Sequence, residues 1–267
     1  MWKMRYTYQT GYALSGGFIR GFAHLGVIQS LLEHDIHPDI LAGVSAGALA
    51  GVFYADGHEP HQTLDYFSKL KFFDFTKPII PRLGFLSLDE LIDFLRSHLR
   101  HKTLETLPLP FIVSATDFDH GHIVHFRTGS IAERVAASCC IPPLFTPVVI
   151  DGINYVDGGV FMNLPVPAIR DLCRTVIGVN VSPMRPEEYK RNILSVTLRA
   201  FHFMAQANTV NDRSKCDMLI EPHNLYEYGN TELDKAEDIF MQGYAAANAI
   251  LDTTEPTKTS IFIRRAL

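Results

Sequence analysis

Three short motifs supply residue types that acyl-transfer chemistry needs. They are Ser-Gly-Gly-Phe-Ile-Arg-Gly at 15–21, Gly-Val-Ser-Ala-Gly at 43–47 and Asp-Gly-Gly at 157–159. A serine hydroxyl can attack a carbonyl carbon, and a carboxylate can accept the proton that the hydroxyl loses. Backbone N–H groups can hold the negative charge that develops on the carbonyl oxygen. The three motifs together therefore predict the parts of a serine acyl hydrolase.

The pattern around Ser45 is typical of a nucleophile elbow, a sharp turn between a strand and a helix with small neighbours, here Gly43 and Gly47. The apolar run 40–44 predicts the strand, and the alanine-rich run 46–54 predicts the helix. An alternative is an ordinary glycine-rich helix start with Ser45 as the N-cap. The strand and helix on either side favour the elbow.

The early glycines suit an anion-binding turn. Gly16 and Gly17 carry no side chain to block an approaching group, and positive φ costs little at such positions. A nucleotide-binding loop at a helix N-terminus is the alternative reading. It is disfavoured because neither the P-loop lysine nor the G-x-G-x-x-G pattern is present.

Asp157 on its own could be an ordinary turn residue, and Asp151 before Gly152 has the same local appearance. The sequence resembles the patatin-like phospholipase family in the order of the three motifs and in two further segments, Ala-Ser-Cys-Cys-Ile-Pro at 137–142 and Asn-Leu-Pro at 163–165. Members of that family pair an elbow serine with an aspartate in a late Asp-Gly-Gly or Asp-Gly-Ala motif. The resemblance covers about residues 11–172.

The resemblance implies roles for individual residues. Ser45 would be the nucleophile and Asp157 the general base, with the backbone amides of Gly16, Gly17 and Phe18 as the oxyanion hole. The supporting residues would be Arg20, Gly43, Gly47, Gly158 and Gly159. The substrates would be acyl esters of lipids, as for a phospholipase A or lysophospholipase, and no cofactor is implied.

Phe18 departs from the family pattern, which usually has a third glycine there. A bulky residue forced to positive φ would be strained by about 1 to 3 kcal/mol. Loss of one oxyanion donor can lower the rate about a hundredfold. An alternative function is therefore a catalytically weak lipid-binding or regulatory protein, and acyl transfer to an acceptor other than water also stays open.

The elements around the motifs predict an α/β domain spanning 1–267, a three-layer α/β/α patatin-like fold with a central, mostly parallel sheet. The predicted strands are 11–14, 40–44, 110–116, 122–127, 148–150, 154–156 and 176–180. Five predicted helices are 22–34, 46–54, 60–70, 193–211 and 232–251. A sixth begins at a capping box at 87–90 and ends near 99, and a seventh follows a second capping box at 130–133.

Charge and composition restrict the binding partners and the cellular compartment that the sequence predicts. The formal net charge is −5 and no cluster of Lys and Arg occurs, so nucleic acid is an unexpected partner. Four unevenly spaced cysteines and the lack of a recognisable signal peptide predict a cytoplasmic protein. The uncharged run 40–55 is too short to span a bilayer. We expect at most transient, peripheral contact with a membrane surface.

The histidines allow other assignments. One alternative is an α/β-hydrolase triad, whose chain order of Ser, Asp and His would be met by Ser45, Asp157 and either His202 or His223. The early position of the elbow and the helical pattern around His202 both disfavour this triad. His120, His122 and His125 flank a predicted hairpin, but positions 122 and 125 face opposite sides of a strand. No metal site is predicted.

An aromatic segment follows the predicted third helix, with Phe-Phe-Asp-Phe at 72–75 and a second apolar run at 79–86. It has little charge and several turn formers. One interpretation is a lid or lipid-facing rim. The other is that these side chains complete the core beneath a long connection.

Overall fold

The computed structural model describes residues 6–69, 74–80, 83–182, 191–228 and 233–253. Its strands are β1 (Tyr8–Leu14), β2 (Ile40–Gly43), β3 (Lys77–Pro78), β4 (Leu86–Ser87), β5 (Phe111–Asp117), β6 (His122–Phe126), β7 (Val148–Ile150), β8 (Ile153–Asp157), β9 (Cys173–Val179) and β10 (Met218–Ile220). Its α-helices are α1 (Phe22–Glu33), α2 (Ala46–Ala55), α3 (Pro60–Ser68), α4 (Asp89–His98), α5 (Ile131–Ser138), α6 (Ile193–Arg213) and α7 (Ala236–Leu251).

Eight of these strands form one mixed sheet in the order β10-β9-β1-β2-β5-β8-β7, with β6 also paired to β5. The pairs among β10, β9, β1, β2 and β5 are parallel. The pairs that β6, β7 and β8 make are antiparallel. The predicted α/β class with a mostly parallel sheet is confirmed.

The strand β5 has an unusual set of neighbours. Its first half pairs with β2, its second half pairs with β8, and β6 pairs along 113–117. A residue in a strand has only two hydrogen-bonding edges, so β8 must occupy the same edge of β5 as β2. The end of β8 is thereby placed beside the end of β2.

Both faces of the sheet are covered. Tyr12 and Leu14 of β1 belong to the larger core, which includes Leu25 and Ile28 of α1. Ala13 points the other way, into a smaller core with residues such as Ile169. Side chains alternate between the faces of a strand, so the apolar run of β1 serves two layers at once.

Most predicted elements are observed with ends shifted by a few residues, but the first capping box is wrong. Ser87 belongs to β4, and α4 begins only after Leu88. The Ser87 hydroxyl accepts a hydrogen bond from Asp89 N at 3.1 Å. Ser130 is the N-cap of α5 as predicted, although its hydroxyl contacts the Glu133 carboxylate instead of the backbone.

The aromatic segment divides between the core and the surface. Phe75 packs against the main core and Leu86 is part of it, whereas Ile80 and Leu83 are exposed. Phe72, Phe73, Pro81 and Arg82 lie outside the described residues, as do the predicted helix positions 70 and 232. None of the described helices is both long enough and apolar enough to pass through a bilayer.

Candidate active site

Ser45 occupies a strained turn between β2 and α2. Its backbone has φ 51° and ψ −119°, in the left-handed half of conformational space that side chains other than glycine rarely adopt. The amide of Ser45 donates to the Ser138 hydroxyl at 2.8 Å, and that hydroxyl donates to Ser114 O at 2.7 Å. The turn is therefore tied to β5 through Ser138.

The glycines on either side of Ser45 are needed for close packing of the backbone. A Cβ atom on Gly47 would lie 2.3 Å from Leu14 O, and one on Gly43 would lie 2.6 Å from Gly47 O. Neither clash involves a side chain that can rotate away. Gly47 is thus explained by its contact with the end of β1, and Gly43 by its contact with the first turn of α2.

Asp157 ends β8 in a buried position. Its side chain Oδ1 accepts a hydrogen bond from Gly159 N at 2.7 Å, while Oδ2 is buried without a hydrogen-bond partner among the described residues. Burial raises the pKa of this carboxyl to about 7, against the smaller opposing effects of Gly159 N–H and the Ser45 side chain. The Asp157 carboxyl group is therefore a weak acid that titrates near neutral pH.

Gly158 and Gly159 let the chain turn directly after Asp157. A Cβ atom on Gly158 would lie 2.5 Å from Ser114 O, and one on Gly159 would lie 3.0 Å from Asp157 Oδ1. A side chain at either position would displace the carboxylate or the strand beside it. Both glycines support the geometry of Asp157.

Ser45 and Asp157 line the same small cleft, together with the early glycine loop. Ser45 is 7% exposed and Asp157 is 1% exposed, so both side chains are shielded from bulk water. The Ser45 side chain lies near enough to lower the pKa of Asp157. The structure thus brings together two residues that are far apart in the sequence.

The three predicted oxyanion donors differ in their hydrogen bonding. The Gly16 amide donates to Asn163 O at 3.0 Å, and its role as an oxyanion donor stays a prediction. A Cβ atom on Gly16 would lie 2.4 Å from Asn163 Oδ1, which explains the glycine by close approach. Within the described chain, the amides of Gly17 and Phe18 make no hydrogen bond.

Phe18 adopts the conformation that its position in the loop requires. Its φ is 54°, a value that normally favours glycine, and the strain expected for a bulky residue is therefore present. Its side chain lines the apolar cavity in front of Ser45. The loop keeps its shape, and the aromatic ring becomes part of the cavity wall.

The loop is held from two sides by Ser15 and His24, whose roles the sequence did not reveal. The Ser15 hydroxyl accepts from Val181 N at 3.0 Å, and His24 Nε2 contacts Ser15 O at 2.8 Å. Burial lowers the pKa of His24 to about 4, so at neutral pH the ring is uncharged and Nε2 carries the proton it donates. Arg20, predicted as a supporting residue, is buried in the same region.

Asn208 of α6 joins two of the motif segments. Its Oδ1 accepts from Asn163 N at 2.8 Å and its Nδ2 donates to Gly159 O at 3.0 Å. Asn163 in turn accepts from Gly16. No local pattern marks Asn208, because its role depends on contacts that only the fold creates.

An apolar cavity of about 170 Å³ opens next to Ser45. Its walls include Phe18, Phe22, Leu25, Phe67, Leu91 and Phe145.

Cys139 also lines this cavity, and burial together with the charge of Asp157 raises the pKa of the Cys139 thiol well above its usual range. The thiol is therefore uncharged at neutral pH, so Ser45 has no competing thiolate beside it.

The histidines differ in their positions. His202 lines the cleft that contains Ser45 and Asp157, whereas His223 is exposed and does not. His125 contacts the Ser114 hydroxyl at 2.8 Å, and His122 lies 3.9 Å from Asp117. The described residues include no group of three or more His, Cys, Asp or Glu side chains placed to hold a metal ion.

Comparison with known proteins identifies the family. The family model described as patatin-like phospholipase matches residues 12–169. An uncharacterized NTE family protein of Mycobacterium bovis is 33% identical over 162 residues, which cover 59% of this chain and 44% of that protein. Lysophospholipase NTE1 of Mycosarcoma maydis is 25% identical over 282 residues, covering 91% of this chain and 15% of that protein.

The fold has a counterpart among solved structures. VipD from Legionella pneumophila superposes with a TM-score of 0.52 at 14% identity, over 92% of this chain and 67% of that one. The chain spans less than half the length of the curated relatives named above. Because the family model covers more than half of the chain and its motifs converge on one cleft, the chain belongs to the patatin-like phospholipase family.

Proposed function

We propose that this protein is a serine acyl hydrolase that cleaves carboxylic esters of lipids with a Ser45–Asp157 dyad. The observation that carries the proposal is the pairing of a strained, buried serine with a buried carboxylate whose Oδ2 has no hydrogen-bond partner in the described chain. A free carboxylate oxygen with a pKa of about 7 can accept a proton at neutral pH.

In the first half of the reaction, Ser45 Oγ attacks the ester carbonyl carbon as its proton passes to Asp157 Oδ2. The carbonyl oxygen becomes an oxyanion, which the amides of Gly17 and Phe18 stabilise. When the tetrahedral intermediate collapses, the bond to the alcohol oxygen breaks and Asp157 returns the proton to that oxygen. The products are the free alcohol and an acyl group esterified to Ser45.

In the second half, water replaces the serine as nucleophile. Asp157 accepts a proton from the water while the water oxygen attacks the acyl carbon. The new intermediate collapses, Ser45 Oγ leaves and takes the proton back, and the carboxylic acid is released. No separate imidazole is needed, because burial raises the basicity of Asp157 toward that of a histidine.

The apolar cavity supports a lipid acyl chain as the part of the substrate next to the scissile bond. Its walls are aliphatic and aromatic, so burial of a hydrocarbon chain there is favourable by about 0.8 kcal/mol per methylene. A relative with lysophospholipase activity in its name agrees with this class of substrate. We further propose a cytoplasmic protein that touches membranes transiently.

The proposal is tested by replacing each member of the dyad. Ser45→Ala should abolish hydrolysis of a short acyl ester, and Asp157→Asn should lower kcat/KM by at least about a thousandfold. Ser97→Ala, an exposed hydroxyl on α4, is the matched control and should retain activity. Full activity in Ser45→Ala would disprove the proposal.

A catalytically weak lipid-binding protein is the competing function, and Phe18 is its basis. The Phe18 ring lines the cavity while its amide makes no hydrogen bond in the described chain, so the donor is kept. A fluorophosphonate probe should therefore label the wild-type protein at Ser45 and leave Ser45→Ala unlabelled. An unlabelled, folded wild-type protein would favour binding without catalysis.

A further inference from the structure

One face of α6 carries apolar side chains that no described residue covers. They recur at alternating spacings of three and four residues, at Ile193, Val196, Ala200, Phe203, Ala207 and Val210. All six are exposed, with 88% for Ile193, 44% for Phe203 and 63% for Val210. We call these six residues the α6 stripe. Such spacing keeps side chains on one line and is typical of helices that pack against another helix.

The opposite face of α6 is already used. Phe201, Ala205 and Thr209 are buried against the body of the domain, and Asn208 holds the segments of Gly159 and Asn163. The helix therefore needs no further contact within its own domain. Its second apolar face is exposed in the described part of the chain, so a partner can reach it.

We propose that the α6 stripe binds the α6 stripe of a second copy of this chain, with the two helices antiparallel about a twofold axis. In that arrangement Ile193 lies opposite the partner's Val210, Val196 opposite the partner's Ala207, and Phe203 opposite the partner's Ala200. The two alanines lie opposite larger side chains. The stripe is therefore complementary in shape to itself in this register.

The charges near the stripe favour a protein partner over an anionic membrane. Helices that lie on such membranes are usually rich in Lys and Arg on their polar side. The only cationic side chains of α6 are Arg199 and Arg213, of which Arg213 pairs with Glu221, and the whole chain has a net charge of −5. In this antiparallel register Arg199 would lie opposite the partner's Met204, so no like charges oppose each other.

The size of the stripe sets the strength of the association. A helix of 21 residues is about 32 Å long, and a contact about 10 Å wide along it covers roughly 300 Å². A standard stable interface buries about 800 Å² on each partner. We therefore expect a dimer with a dissociation constant on the order of micromolar or weaker.

Sedimentation velocity of the full chain over a wide range of concentrations tests this proposal. The wild-type protein should shift from monomer to dimer as the concentration rises. Phe203→Glu and Ala200→Lys should each abolish the shift, because each places a charge against an apolar side chain of the partner. Val149→Glu is the matched control, since Val149 is exposed on β7 outside the stripe, and it should dimerise like the wild type.

The double variant Ala200→Lys with Phe203→Glu tests the register. Each new lysine would lie opposite a new glutamate of the other copy, so this variant should dimerise again, which a merely misfolded protein would not do. A wild-type protein that stays monomeric at every concentration, or single variants that still dimerise, would overturn the proposal. Binding of a monomeric wild type to phosphatidylglycerol vesicles, lost in Phe203→Glu, would assign the stripe to membranes instead.

Discussion

Asp157 lies two residues beyond Gly43 along the same edge of β5: Gly43 pairs with Val113, and Asp157 pairs with Ala115. Two strand residues span about 7 Å, so Asp157 lies just beyond the end of β2, where the chain turns into the segment that holds Ser45. The proposed base is therefore held on a strand that is paired with β5. A position in a sheet is more rigid than one in a loop, which suits a proton transfer that depends on distance.

The pKa of Asp157 predicts how activity changes with pH. Asp157 must be ionised to accept the proton of Ser45, and burial raises its pKa to about 7. We therefore expect kcat/KM for a neutral ester to rise with pH and to reach half its maximum near pH 7, where an exposed aspartate would already be ionised. Initial rates over a buffered pH series measure this. A profile that is flat through neutral pH would contradict a buried aspartate as the base.

Asp157 should also lower the stability of the folded protein. A carboxyl whose pKa rises from 3.8 to about 7 on folding contributes stability below pH 3.8, and that contribution is lost as the pH increases toward 7. Asp157→Asn removes the buried charge, so it should raise the free energy of unfolding at neutral pH by up to about 4 kcal/mol. Urea unfolding of both proteins measures the difference.

The stability difference should shrink as the pH falls below 3.8, because the wild-type carboxyl is then mainly protonated in the folded and the unfolded chain alike. Asp151→Asn is the control for the same chemical change. Asp151 lies in the exposed β7–β8 turn at φ 52°, a conformation that asparagine tolerates, so its replacement should leave stability nearly unchanged. An Asp157→Asn protein less stable than the wild type at pH 7 would count against the buried charge.

The cavity predicts a preference for acyl chains of medium length. A cavity of about 150 Å³ can hold benzene, so 170 Å³ accommodates about six to eight carbons. Ala50→Leu, which adds three carbons to the cavity wall, should lower kcat/KM for an octanoyl ester by about tenfold while a butanoyl ester is hydrolysed nearly as before. A series of p-nitrophenyl esters reports both values.

Ala245→Leu provides the matched control for the cavity prediction, since Ala245 is exposed on α7 and should not affect chain-length preference. An equal loss on both esters in Ala50→Leu would mean that the variant disturbs the elbow itself and that the cavity does not hold the chain.

Replacement of His202 distinguishes the proposed Ser-Asp dyad from a Ser-Asp-His triad. It lines the cleft of Ser45 and Asp157, but in the proposed dyad Asp157 accepts the Ser45 proton without a histidine between them. His202→Gln should therefore lower kcat/KM by less than about tenfold, far less than Asp157→Asn. Steady-state rates of the two variants side by side give the comparison. Equal, large losses would favour a Ser-Asp-His mechanism.

The sequence predicted those parts of the fold and site that depend on local patterns. Gly43, Ser45 and Gly47 are close in sequence, and their spacing reflects a single tight turn. The strands and helices with clear apolar periods were found for the same reason. The three-residue strand β10 is too short for a period to show, and it was missed.

Other features depend on contacts between distant segments. The Gly16 amide is occupied only because the fold brings Asn163 against it, and Asn208 reaches the same place from α6. Ser87 had the right type and spacing for an N-cap, but it was already in β4. A pattern within a few residues cannot report which of two competing partners the tertiary structure supplies.

The hairpin of β7 and β8, which turns at Asp151 and Gly152, has a consequence for natural variation in this protein. Because side chains alternate between the faces of a strand, inserting or deleting one residue within β8, which pairs with both β7 and β5, would turn the Asp157 carboxylate to the other side of the sheet. Homologues with the same proposed dyad should therefore keep the length of β8, whereas the turn before it can vary in sequence and in length.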